Sequence, residues 1–551
     1  MFSNQRQLLG RLTAFLIVLS SLLGCTSASP ALPEPAAALT LPAVSATAAP
    51  APTASSTPIP DTALVLNPGF ESRGADGSLE GWNSSGDGLA VLLDAPGHSG
   101  SFRLTHKIDQ SYLVETSQTI RGLADDWYTL SAWVRSSGQN EAYLGLTCGG
   151  QEKRVYIPAT APGGAPGELW IRLVVSNQVT TGECQIGLHS SGAPESWASF
   201  DDIELKRGQI KLSVLGADIS SLHKSEDLGG VYKYRDGTQA DALQILQDNG
   251  LNYARLRVWV DPADGYHNKA EILEMALRLK SRGIKLLVDF HYSDDWADPG
   301  KQYKPAAWAN YSFEQLKQAV YDHTFDVCSS LAAQGTPADL VQVGNEINAG
   351  MLWPDGDYNH FDNLAELLKA GYQAVKDSSS STRVMLHIAE GGDNELARWW
   401  FDNITRRDVS FDVIGVSFYP IWHGSLAELQ GNLNDLAERY DKDVIVAEFA
   451  YGFSVLEDDN FANIAGRNLA VDGYLFTPEG QRLMTRDILS IVRGVPNGRG
   501  LGLFYWDATW TAVSGNGWNA LDVLSGNGWE NQALFDYNDR ALPALGEFLN
   551  P

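Results

Sequence analysis

The chain has 551 residues, more than one hydrophobic core comfortably serves, so two folded domains with flanking segments are expected. Its formal charge of -27 comes without the clustered Lys and Arg that a phosphate backbone requires, which excludes nucleic acid as a partner and suits a neutral substrate. The balance of 44% apolar to 19% charged residues is globular, and 16 Trp, 20 Tyr and 19 Phe offer flat faces as well as core volume.

Arg6 and Arg11 precede an apolar run from Leu12 to Leu23 that is too short to span a bilayer comfortably, the pattern of an export signal. Leu22-Leu23-Gly24-Cys25 resembles a bacterial lipobox, which implies lipidation at Cys25 and membrane attachment through that anchor only. Residues 1–25 are therefore read as signal and lipobox. Residues 26–62, almost wholly Ala, Pro, Ser and Thr, cannot bury enough surface to fold and are read as a tether. Export places the other cysteines in an oxidising compartment, where Cys148 and Cys184 can form one disulfide. Cys328, in a helical stretch, is expected to be a small buried apolar residue.

From 63 to 207 short alternating segments such as Tyr128–Val134 are punctuated by Gly, Asn, Asp and Pro, which predicts a β-sandwich. Leu66–Glu71, Gly81-Trp82 and Ser199–Leu205 resemble the opening, interior and closing segments of jelly-roll carbohydrate-binding modules. That resemblance implies neighbouring first and last strands and a structural calcium ion near Glu71 and Asp202. Trp82, Tyr112, Trp127 and Trp133 are candidate sugar platforms, although a sandwich needs large inward residues on alternating positions and each taken singly is expected in the core.

From 208 to 551 apolar runs alternate with amphipathic stretches such as Asp241–Asn249 and Lys269–Arg282. Strands are predicted at Ser213–Gly216, Tyr253–Trp259, Ile284–Phe290, Val341–Gly344, Val384–His387, Val413–Ser417, Val444–Ala447 and Gly502–Tyr505. Eight strands separated by helical segments predict a (β/α)8 TIM barrel. In such barrels the active site collects at the C-terminal strand ends, which here carry Asp218, Arg257, Asp289 with His291, Asn345 with Glu346, His387, Tyr419, Glu448 and Trp506.

Two carboxyl groups on facing strands are what glycoside hydrolysis needs: one protonated to release the leaving oxygen, one ionised across the ring. Glu346 after strand four and Glu448 after strand seven fill those places, and a separation of ~5 Å would give retention of configuration. Glu346 is assigned as acid/base and Glu448 as nucleophile, with Arg257 holding Glu448 charged and Tyr419 donating to it. Asn345 before Glu346 resembles the retaining barrel glycosidases, in which this Asn holds the sugar 2-hydroxyl.

Leu215–Ser220, Arg255–Trp259, Asp289–Gly300, Gln342–Ile347 with Leu352–Pro354, Gly415–Pro420 with Trp422–Gly424, and Asn531–Asp536 together resemble family 53 of the glycoside hydrolases. The resemblance implies an endo-β-1,4-galactanase acting on arabinogalactan and pectic galactan, and an amino-terminal module similar to carbohydrate-binding family 61. It also places Asp295, Trp296, Trp353, Trp422, His423 and Trp506 along the cleft. A Ca2+ ion between the last two loops would take oxygen from Asp458, Asn460, Asn527 and Glu530. Phe449 stands where Thr or Ser is expected, and Gly515–Trp518 is repeated as Gly526–Trp529. A monomer is expected. The competing readings are a non-catalytic surface glycan binder, disfavoured by the two glutamates, and a retaining enzyme for mannan or xylan, disfavoured by the Asp289–Gly300 run.

Overall fold

The computed structural model describes residues 64–549 apart from 76–77, 139, 161–168 and 523. The export signal, Cys25 and the tether lie outside the described residues. No described helix is long and apolar enough to cross a membrane.

The first domain is a sandwich of two five-stranded antiparallel sheets. One orders Asn83–Gly86, Tyr112–Arg121, Glu183–Gly192, Asn140–Cys148 and Gln151–Tyr156; the other Val91–Asp94, Arg103–Lys107, Trp197–Arg207, Trp127–Ser136 and Ile171–Gln178. Period-two patterning builds it: along Tyr112–Arg121 every second residue, from Tyr112 to Ile120, is buried between the sheets. Cys148 and Cys184 stand opposite each other on adjacent strands and are joined by a disulfide.

One expectation fails here. Leu66–Glu71 is not a strand: Asn67 and Phe70 have positive φ, so the segment turns, and it meets the closing strand through a single backbone bond from Ile203 N to Pro68 O. Phe70 is fully buried against Trp82, whose indole N–H donates to Asn67 O, so Trp82 is core rather than platform. Tyr112 is core as well, with its hydroxyl bonded to Ser190. Trp127 and Trp133 stay half-exposed, and Trp133 stacks on His98 at 4.0 Å.

The second domain is a closed barrel of eight parallel strands: Val214–Asp218, Tyr253–Val258, Lys285–Phe290, Leu340–Val343, Arg383–Ile388, Val413–Ser417, Asp443–Phe449 and Gly500–Tyr505. These are the eight segments predicted from the apolar runs, shifted by one to two residues at most ends. Val214, Tyr253, Leu287, Leu340, Met385, Val413, Ile445 and Phe504, one from each strand, form a buried apolar cluster. Packing in such layers closes the barrel floor and leaves polar side chains to its mouth. Gly216 makes room for this layer, since a Cβ there would lie 2.2 Å from the Phe504 ring. Helix Lys269–Arg282 starts where the Asn268 side chain accepts from Ala270 N and Glu271 N, and ends at left-handed Gly283.

The domains touch through specific polar contacts as well as a shared apolar core. Gln430 on helix Leu426–Tyr440 donates to Arg172 O at 2.8 Å and accepts from Arg172 N, while Arg172 Nη1 donates to Gly494 O at 3.2 Å. Arg486 on helix Pro478–Arg493 lies 4.5 Å from the Tyr156 ring centre.

Candidate active site

Strand four runs into Gly344-Asn345-Glu346, where Gly344 and Glu346 have φ of +87° and +47°. A glutamate in the left-handed region is backbone strain that a surrounding structure has to hold, and such strain gathers at functional sites. Glu346 and Glu448 are 9% and 5% exposed, so each carboxyl is desolvated at the barrel mouth. Burial, and then the neighbouring Glu448, push the Glu346 carboxyl well above the ordinary range. Burial also raises Glu448, to about 7, but Arg255 and Tyr419 oppose the rise.

Arg255 is the hub of the site. Its Nη1 donates to Asp218 at 2.7 Å, and its Nη2 lies 2.8 Å from Asp289, from Asn345 Oδ1 and from Glu448 Oε1. The cation, 1% exposed, is shared among three carboxylates. Such a buried cluster holds only while every charge is matched. This corrects the expectation for Arg257, which pairs instead with Asp507 at 3.1 Å and lies over the Trp296 ring at 4.2 Å. Both arginines project to the same side of strand two by its period of two, and the one deeper in the strand reaches Glu448. Tyr419 is where it was expected, its hydroxyl donating to Glu448 Oε2 at 2.8 Å.

A second tier fixes these groups. Gln342 donates to Asn345 Oδ1 at 2.9 Å, and Asn345 Nδ2 donates to Ala297 O at 2.9 Å, so the amide is oriented at both ends. His387 is fully buried and burial lowers it well below the usual histidine range; its Nδ1 faces Gln342 and its Nε2 lies 2.9 Å from Ser417 Oγ. His291 accepts at Nδ1 from Trp259 and from Ala297 N, leaving Nε2 to donate to Asp289 at 3.0 Å. Asp218, Asp289 and His291 are thus supports for Arg255 and the loop after strand three.

The cleft walls are aromatic. Trp422 is 42% exposed and packs edge-on to Tyr419, while His423, lowered to about 4 by burial, bonds to Ser417 O. Trp353 is half-buried, its indole donating to Ala349 O, with exposed Tyr303 edge-on to it. Trp506 and half-buried Trp296 belong to a cluster with Trp510, Trp518 and Trp529 that sequence reasoning did not assemble. Asp295 is contacted by Lys301 at 2.6 Å and is exposed.

The repeated tetrapeptide supplies this cluster. Asn516 O accepts from the Trp510 indole, and Asn527 Nδ2 donates to Trp510 O, so the two copies grip one residue and each delivers its own Trp. Gly517 is required because a Cβ there would meet Ser525 O at 1.8 Å. Phe449, the departure beside Glu448, is fully buried against Tyr505.

For a metal, Glu530 Oε1 accepts from Asp458 N while its Oε2 is buried without a partner, and burial with Asp458 and Asp459 nearby raises the carboxyl to about 7. Asn527 is committed elsewhere, its oxygen accepting from Trp529 N. Asn460 is exposed, in the left-handed region. Among the described residues no group of three or more His, Cys, Asp or Glu is gathered as a metal site. Glu71 is spent on Ser101 N and Phe102 N, and Asp202 on His98 and Ser99.

The family model described as Glycosyl hydrolase family 53 matches residues 214–548, the whole barrel. The chain belongs to glycosyl hydrolase family 53. It is accordingly a glycoside hydrolase. An arabinogalactan endo-beta-1,4-galactanase of Thermothelomyces thermophilus is 34% identical over 61% of this chain and 99% of that protein. The solved family 53 catalytic domain of Ignisphaera aggregans is 40% identical, with a TM-score of 0.59 over 62% of this chain and 96% of its own. A structure of TmCBM61 in complex with β-1,4-galactotriose is 26% identical over 27% of this chain and all of its own, with a TM-score of 0.24.

Proposed function

We propose that the protein is a retaining endo-β-1,4-galactanase that cuts β-1,4-galactan by double displacement. The observation that carries the reading is the unequal treatment of two adjacent buried carboxyls. Glu346 makes no ion pair among the described residues and its carboxyl is pushed well above the ordinary range, while Glu448 is gripped by Arg255 and Tyr419. Environments that drive two carboxyls apart assign the acid and the base. Glu346 gives its proton to the departing glycosidic oxygen as Glu448 attacks the anomeric carbon. Glu346, now ionised, then takes a proton from the water that releases the glycosyl group from Glu448. Asn345, fixed by Gln342 and Ala297, has one amide hydrogen left for a sugar 2-hydroxyl. The galactanases among the relatives support galactan as the polymer.

The sandwich would hold the same polymer, with half-exposed Trp127 and Trp133 as the aromatic surfaces left for it. A lipid at Cys25 would keep a monomeric enzyme at the outer cell surface. A Ca2+ ion near the last two loops would use Glu530 and Asp458; chelation is then expected to lower the melting temperature, with recovery on adding Ca2+.

Reducing-sugar release from linear β-1,4-galactan, mannan and xylan tests the function. Activity on galactan alone, reduced at least about 10³-fold in Glu346→Ala and Glu448→Ala, is expected. Activity on none, with galactan still bound, would leave a glycan binder; equal activity on mannan or xylan would move the substrate.

A further inference from the structure

Where the sandwich meets the barrel there is a cavity of about 420 Å³, within the range of small-ligand sites. It is lined by Lys153, Arg154, Arg482, Arg486 and Arg493 against only Glu152 and Glu547. Five cations in one pocket stand out in a chain with 40 basic and 67 acidic residues. Arg154 pairs with Glu152, Arg482 with Glu479 and Glu547, and Arg486 with Asp487, so these guanidinium groups are held in place around the pocket. The Lys153 ammonium adds an exposed cation with no ion pair among the described residues, on the edge strand Gln151–Tyr156. The pocket also has ring surface: Tyr156 lines it, and Arg154 lies 4.3 Å from the centre of Tyr143, edge-on to Tyr156.

We propose that this pocket binds a carboxylate-bearing saccharide, a short stretch of uronate chain, and so fastens the enzyme to acidic polysaccharide while the barrel cuts a neutral one. Guanidinium groups give a carboxylate charge-assisted hydrogen bonds, Lys153 adds a point charge at the rim, and Glu152 and Glu547 accept from sugar hydroxyls. Tyr156 offers the pyranose ring a face. The inference rests on the reading that the protein works on a polysaccharide.

Isothermal titration of the intact protein with trigalacturonate, β-1,4-galactotriose and inorganic phosphate tests it, for the native chain and for Lys153→Glu. Galactan hydrolysis is measured on the same preparations. Expected are binding of trigalacturonate that weakens with salt, a loss of at least about tenfold in Lys153→Glu, and unchanged hydrolysis of linear galactan. Absent binding of trigalacturonate, or binding indifferent to Lys153→Glu, overturns the proposal; phosphate bound as tightly as trigalacturonate overturns its saccharide part. Trigalacturonate bound by a protein that hydrolyses no polymer would sink the galactanase reading and leave the pocket standing.

Discussion

Glu448 is tuned by two donors that act in the same direction, and their removal has a predictable sign. A hydrogen bond to the ionised carboxylate lowers its pKa, so Tyr419→Phe raises it, and the acid limb of kcat/KM moves to higher pH. The native profile is expected to be bell-shaped, falling on the acid side as Glu448 takes up a proton and on the alkaline side as Glu346 loses one. A bond to a charged group contributes about 1.5–3 kcal/mol, so kcat/KM should also drop ten- to a hundredfold at the optimum. An unmoved acid limb in Tyr419→Phe would show that another group sets it.

The two arginines of strand two give a sharper comparison. Arg255→Lys removes the fork that spans Asp218, Asp289 and Glu448 and is expected to lower kcat about 10²-fold. Arg257→Lys, which loses contact with Asp507 and Trp296 but none with Glu448, should cost far less in kcat. Steady-state kinetics of both variants decides the assignment. The sequence made the wrong one of these arginines the partner of Glu448, because both side chains share a face of the strand and only depth in the barrel separates them. Glu346, Glu448 and Tyr419 were readable because their distance from the strand end is short and their chemistry is distinctive. Gln342 and Ser417 carried no such signal, being ordinary residues whose roles come from what the neighbouring strands place beside them.

At the level of elements the barrel strands were plain in the sequence, since eight apolar runs buried on both faces contrast with the amphipathic helices between them. The first segment of the sandwich misled for a physical reason: the resemblance implied a strand, but Asn67 and Phe70 leave the extended region around Pro68-Gly69, so the segment turns. The tryptophan cluster was out of reach because its members come from the loops after strands three and eight, brought together only by the fold. Within the sandwich the Cys148–Cys184 link closes a separation of 36 residues. Its removal as Cys148→Ser/Cys184→Ser is expected to cost about 2–4 kcal/mol. Calorimetry should show the sandwich transition shift downward while hydrolysis of soluble galactan by the barrel persists.

For the whole molecule, Gly494 is decisive because it lies directly against the Arg172 backbone of the other domain. A Cβ there would lie 2.0 Å from Arg172 O, a backbone atom that cannot step aside cheaply. Gly494→Ala is therefore expected to part the domains, seen as two separated thermal transitions and a larger radius of gyration by X-ray scattering, with turnover of short oligosaccharides unchanged. A single transition and an unaltered radius would mean that Arg172 is not the hinge pin.

The pairing of Arg172 with Gln430 is made at both the backbone N–H and the C=O of one residue, so it resists rotation as well as separation. If the sandwich holds a polymer strand as proposed, that strand would be presented to the barrel at a fixed span rather than through a loose leash. The effective concentration of cleavable bonds peaks at one distance along the strand and falls away on either side. Cutting should consequently be periodic, with early products bunched around a preferred length, and the bunching should dissolve into a random distribution once the two domains are cut apart.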